Sequence, residues 1–98
     1  MSYRSVEIYY DIASIPGIDA ASNRMGAALD FRNAAMERIE TALAETGLGE
    51  WAGAESGGNE VNFGFEVSDF DAAEQLIRQT VADTIYQGIR EITRYEEG

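Results

Sequence analysis

The 98-residue sequence contains no histidine, no cysteine and no lysine. Without histidine and cysteine there is no imidazole base, no Ser-His or Cys-His dyad, no disulfide and none of the usual transition-metal sites. Without lysine, Schiff-base chemistry and a Walker-type phosphate site are also excluded. We therefore predict no catalytic residues, no metal site and no cofactor of a common type. The composition favours a non-enzymatic protein, although tyrosine, arginine and carboxylate chemistry stay open.

Positive charge is also scarce. Eighteen acidic residues face seven arginines, which gives a formal net charge of −11. The electrostatic field of this negative net charge repels nucleic-acid phosphates and anionic lipid, so we expect neither as a partner. It is compatible with a basic protein partner, and simple solubility is the alternative explanation.

Long hydrophobic runs are missing too. No apolar run approaches the ~20 residues of a membrane span, and the first residues do not resemble a signal peptide. We therefore expect one domain over residues 1–98, located in the cytoplasm. Arginine as the sole basic residue, with abundant alanine and glycine, is typical of a GC-rich bacterial genome.

Alternating apolar residues predict three strands. Residues 5–12 place Val6, Ile8, Tyr10 and Ile12 on one face. Residues 61–67 give the clearest alternation in the chain. Residues 48–55 form a weaker candidate, joined to the 61–67 strand by a glycine-rich turn at 56–59.

Helical spacing predicts two helices. The first covers residues 27–46 and ends at Gly47, after a long connection over 13–27. The second begins at Ser68–Asp71 and continues to about Tyr86, with Ile85 on its buried stripe. Residues 89–95 are ambiguous: Ile89, Ile92 and Tyr95 have helical spacing, but Gly88 and four β-formers favour a final strand.

The resulting order is strand, helix, strand, strand, helix, strand. This order resembles the ferredoxin-like βαββαβ fold over nearly the whole chain. The resemblance implies an α+β sandwich with a four-stranded antiparallel sheet of order 4-1-3-2 and two helices on one face. It implies no function, since the fold hosts enzymes, regulatory modules, nucleic-acid binders and metal carriers.

The predicted fold leaves one sheet face open, and this face is the main candidate for a ligand or interface site. We expect Tyr9 and Asp11 from the first strand, Trp51 from the second and Glu66 from the third. Arg90 and Arg94 of the last strand are expected beside the acids of the first strand. Tyrosine and tryptophan commonly anchor interfaces. A solvated sheet with ordinary ion pairs is the alternative.

Two further sites are weaker candidates. Arg24, with Asn23, lies in the long 13–27 connection and could bind an anionic ligand, since a loop of this length often has a function. A flexible connection with a solvated arginine is the alternative. Asp69 and Asp71 have the Asp-x-Asp spacing of a hard-cation carrier, but acids at a helix start more often cap the helix.

The leading hypothesis is a small acidic binding or regulatory protein. It would act as a homodimer paired through its open sheet face, or bind a basic protein as an immunity protein or antitoxin does. The alternative is a cofactor-independent enzyme or ligand-binding protein of the dimeric α+β-barrel type, in which two sheets enclose a pocket. The residues of that pocket would be Tyr9, Asp11, Trp51, Glu66 and Arg90.

Overall fold

The computed structural model describes residues 3–97, and these residues confirm an α+β fold with a four-stranded antiparallel sheet and two helices. The elements are β1 Tyr3–Asp11, α1 Arg24–Thr46, β2 Gly49–Gly57, β3 Glu60–Val67, α2 Phe70–Val81 and β4 Glu91–Glu97. The strands lie in the order β2-β3-β1-β4. This is the predicted order 4-1-3-2 read from the other edge.

One face of the sheet is buried beneath both helices. Alternation along β1 and β3 sends side chains such as Ile8 and Phe63 into the core. The helices complete the same cluster with side chains such as Ile39 and Ile77, and they also pack on each other. The opposite sheet face carries no helix in the described part of the chain.

The first helix starts three residues earlier than predicted. Asn23 caps it, because its side-chain oxygen accepts a hydrogen bond from the Gly26 backbone N–H at 2.9 Å. Gly26 therefore lies inside the helix rather than interrupting it. The connection before Asn23 contains two 3₁₀ turns, Ile12–Ser14 and Ile18–Ala20. The helix ends at Gly47, which has a left-handed φ of 69°.

The second helix is shorter than predicted and ends at Val81 rather than Tyr86. The Thr84 hydroxyl donates to the Val81 carbonyl at 2.6 Å, and Asp83 has a φ of 61°. The side-chain hydrogen bond of Thr84 competes with the backbone hydrogen bonds of the helix, and the left-handed backbone at Asp83 departs from helical geometry. The helix therefore ends at Val81. Ile85, predicted on the buried stripe, is 59% exposed as a result.

The ambiguous tail is a strand. Residues 91–97 pair with β1 over the register Tyr3–Glu97 to Tyr9–Glu91. The strand starts two residues later than predicted, so Arg90 lies just before it, with its backbone N–H bonded to the Tyr9 carbonyl at 2.8 Å.

An irregularity in β2 changes which residues share a face. Trp51 is opposite Phe65, whereas Gly53 is opposite Gly64, so Ala52 is an extra residue that forms a bulge. Opposed residues in an antiparallel pair point to the same side of the sheet. Trp51 therefore lies on the helix side with Phe65, and Gly53 lies on the open side.

Candidate functional site

The candidate site is the sheet face that the helices leave uncovered, which we call the acidic sheet face. The strand register assigns its side chains row by row. Within residues 3–97 this face holds eight carboxylates and one arginine, Arg90, a net −7 of the formal −11. The carboxylates belong to Glu7, Asp11, Glu50, Glu55, Glu60, Glu66, Glu91 and Glu97.

Three tyrosines lie among these carboxylates. Tyr3 and Tyr9 come from β1, and Tyr95 comes from β4 opposite Ser5. Tyr3 is 42% exposed and Tyr95 is 44% exposed, so both rings offer a free surface. Both tyrosine rings and carboxylates attract guanidinium and ammonium ions.

Arg90 forms ion pairs with three of the carboxylates at one end of this face. Its guanidinium lies 2.7 Å from Asp11, 2.9 Å from Glu91 and 3.4 Å from Glu60. It also lies over the ring of Tyr9, 5.3 Å from the ring centroid. The predicted pairing of Arg90 with an acid of the first strand is thus present. The hydrogen bond to Asp11, more than any other interaction, raises the pKa of Arg90.

Tyr9 connects Arg90 to the middle of the face. Its hydroxyl donates to a carboxylate oxygen of Glu7 at 2.5 Å. This hydrogen bond, with a smaller effect from the neighbouring Tyr95 hydroxyl, raises the pKa of Tyr9 well above the usual tyrosine value. The Glu7 carboxylate is therefore held in place, and it stays next to a protonated phenol.

Two like-charged pairs oppose each other across strands. Asp11 is opposite Glu60, and Glu50 is opposite Glu66. Like charges in directly opposed positions destabilise a sheet. Arg90 bridges the first pair, but no arginine of residues 3–97 forms an ion pair with Glu50 or Glu66. The Glu50–Glu66 pair therefore lacks a cation.

A depression of about 270 Å³ lies in the middle of the acidic sheet face. Its floor contains Gly53 and Gly64, which are directly opposite each other and contribute no side chains. Glu7, Glu55 and Asn62 are among the residues around it.

Two residues predicted on the open face lie on the other side. Trp51 points to the helix side because of the bulge, and it is 51% exposed there. Arg94 is opposite Val6, so it also points to the helix side, where it pairs with Asp71 at 3.0 Å and Glu74 at 3.3 Å. The other sheet candidates, Tyr9, Asp11, Glu66 and Arg90, do share the open face.

The loop and helix-start candidates have local structural partners. Arg24 is the first residue of α1, and its guanidinium lies 3.5 Å from Asp19. Asp69 caps α2 by accepting from the Ala72 N–H at 2.9 Å, while Asp71 is the partner of Arg94. Over residues 3–97, no group of three or more carboxylates is arranged to hold a metal ion.

Sequence reasoning missed several residues of this face. Glu91 was not predicted on it, although it holds Arg90, because its position depends on strand register. Alternation along the strands does place Gly53 and Gly64 on this face, but it does not predict the depression they form. A glycine at a solvent-facing strand position removes a side chain and often marks a bulge or a close approach, which is the signal that could have indicated it.

The chain matches no protein-family model, no curated protein and no solved structure in comparisons with each. No helix within residues 3–97 is long and apolar enough to cross a membrane.

Proposed function

We propose that this chain is a ferredoxin-like domain that binds a basic protein through its acidic sheet face. The observation that carries the proposal is the charge of that face: eight carboxylates against one arginine among the described residues. The strand order and the two helices packed on one face support the ferredoxin-like assignment.

The unbridged Glu50–Glu66 pair supports a cationic partner in particular. These carboxylates repel each other across β2 and β3, and a positive group placed between them would remove that repulsion. Arg90 already does this for Asp11 and Glu60 at the far end of the same face. A partner's arginine or lysine would repeat the arrangement at Glu50 and Glu66.

The same charge opposes self-association through this face. Pairing two copies would place eight carboxylates of one copy against eight of the other. Like charges brought together across an interface cost several kcal/mol in general. Between the two partners predicted from the sequence, the charge distribution thus favours a basic protein over a second copy.

A short arginine-rich peptide tests this proposal by isothermal titration calorimetry. The double variant Glu50→Gln/Glu66→Gln removes two charges from the acidic sheet face. Its matched control, Glu37→Gln/Glu45→Gln, removes two charges from exposed positions of α1. We expect the first to weaken binding by roughly three- to tenfold, as for two partly exposed ion pairs, and the second to weaken it much less.

Equal weakening by the two double variants would show that only net charge matters, and it would contradict the proposal. Sedimentation velocity supplies a second check. A stable dimer in which Tyr3 and Tyr95 become protected from solvent would show that this face belongs to a second copy instead.

A further inference from the structure

The depression at the centre of the acidic sheet face has a shape and lining that distinguish it from the rest of the face. The row across the four strands here reads Thr93, Glu7, Gly64 and Gly53. The two glycines occupy neighbouring positions, so the face lacks two side chains in succession. With strands ~4.8 Å apart, this opens a gap about two strand spacings wide beside Glu7.

We propose that this depression receives one arginine side chain of the basic partner, an inference that rests on the proposed function. The floor is bare peptide backbone, because neither Gly53 nor Gly64 has a Cβ. A planar guanidinium can lie against exposed backbone, while its donors reach carboxylates around the edge. A lysine ammonium, which is compact and not planar, would make less contact with this floor.

The residues around the depression carry the acceptor oxygens that a guanidinium requires. Glu7 bounds it on β1, Glu55 bounds it on β2, and Asn62 offers an amide oxygen from β3. One oxygen of Glu7 accepts the Tyr9 hydroxyl, which leaves the other for a guest. Tyr3 also lines the depression and adds an aromatic ring.

Arg90 shows that this face binds a guanidinium with the same set of groups. It is held by three carboxylates and lies against a tyrosine ring. The depression presents carboxylates and a tyrosine ring too, but within residues 3–97 no arginine is among the residues that line it. The partner would supply that arginine.

The backbone geometry at the floor of the depression favours glycine at both positions. A Cβ on Gly64 would lie 3.1 Å from the Val6 carbonyl oxygen and 3.4 Å from Cγ of Glu7. Gly53 has a φ of 154°, which L residues rarely adopt. A side chain at either position would fill the depression or strain the strand.

The test uses an acetylated Gly-Arg-Gly amide peptide and its lysine counterpart, titrated into the full chain and followed by ¹H–¹⁵N NMR. We expect the arginine peptide to shift the amide signals of Gly53 and Gly64 and to bind roughly threefold or more tightly than the lysine peptide. Glu7→Gln and Glu55→Gln should each weaken arginine binding by roughly threefold. Glu97→Gln, on the same face but at a residue that does not line the depression, should weaken it clearly less.

Gly64→Ala is a second variant, which narrows the depression without changing the charge. We expect it to weaken arginine binding. The amide signals of residues away from the depression should stay close to those of the wild type. If it does not fold, Glu7→Gln and Glu55→Gln still decide the question. Equal affinities for arginine and lysine, or equal effects of Glu7→Gln and Glu97→Gln, would overturn the arginine site and leave the proposed function standing. Failure of the arginine-rich peptide to bind the acidic sheet face would contradict both the arginine site and the proposed function.

Discussion

Arg90 joins the ends of three strands through its guanidinium. It contacts Asp11 on β1, Glu60 on β3 and Glu91 on β4. Asp11 and Glu60 are directly opposed and would repel each other without it. We therefore assign Arg90 a structural role within the face, in addition to the contact it makes with Tyr9.

Replacing Arg90 with methionine keeps an apolar stem and removes the charge. We expect a lower melting temperature at neutral pH and low salt, because three carboxylates lose their shared cation. Concentrated salt should reduce the difference from wild type, since it screens exposed charges. Arg78→Met is the control, because among the described residues Arg78 pairs only with Glu74, at 3.6 Å, and its replacement should change stability less. A difference that does not depend on salt would argue against an electrostatic role.

Tyr10 gives the fold a dependence on alkaline pH. Burial raises its pKa well above the usual tyrosine value, and its hydroxyl donates to the Tyr86 carbonyl at 2.7 Å. A raised pKa means that the folded state binds more protons than the unfolded state above pH ~10, so stability falls as the pH rises past that value.

Tyr10→Phe should cost about 1 kcal/mol near neutral pH, through the lost hydrogen bond. It should also show a smaller loss of stability than wild type between about pH 9 and about pH 11, because one of the two tyrosines with a raised pKa is gone. Urea unfolding at both pH values measures this. An equal loss in the two proteins would show that Tyr10 does not carry the alkaline dependence.

At the scale of elements, the β2 bulge decides which aromatic side chains can meet a partner. Trp51 and Tyr95 are similarly exposed, at 51% and 44%, but the register places them on opposite sides of the sheet. Their exposure alone does not distinguish them.

These two residues form a matched pair for mutagenesis. We expect Tyr95→Ala to weaken binding of the arginine-rich peptide by roughly threefold, as for the loss of one exposed cation–π contact. Trp51→Ala should leave the affinity nearly unchanged, because its ring lies on the helix side. The reverse result, measured by the same calorimetry, would mean that the assignment of faces is wrong.

The elements also show where sequence reasoning succeeds. Strands β1 and β3 are predicted well because burial of one face imposes a strict alternation of apolar residues. Phe31 of α1 is harder to recognise as a core residue, since two polar residues, Arg32 and Asn33, follow it. It is buried against Tyr10, with ring centroids 5.1 Å apart.

The edge strands are harder to predict than the central ones. In β4 the inward-facing Ile92, Arg94 and Glu96 include only one apolar side chain, so alternation gives no reliable face. In β2 one extra residue inverts the pattern after Trp51. The face of β4 is set by its pairing with β1, which is distant in sequence, whereas the face of Trp51 is set by one extra residue inside the β2–β3 hairpin. Neither effect is visible in the alternation of a single strand, and together they determine which candidates lie on the acidic sheet face.

At the scale of the whole molecule, charge is distributed unevenly between the two sides. The acidic sheet face carries a net −7, whereas the remaining surface mixes ten acids with six arginines, many of them paired. Solubility alone requires a net charge but not its concentration on one face. Concentration on one face steers a partner of opposite charge toward that face.

The most direct test of binding through the acidic sheet face is a ¹H–¹⁵N NMR titration of the chain with the arginine-rich peptide. We expect the largest shifts on the residues of the acidic sheet face in all four strands, with the solvent-exposed side of α1 and α2 nearly unchanged. Added salt should weaken these shifts, because it screens exposed charges. Shifts centred on the helices, or no shifts in low salt, would contradict binding through this face.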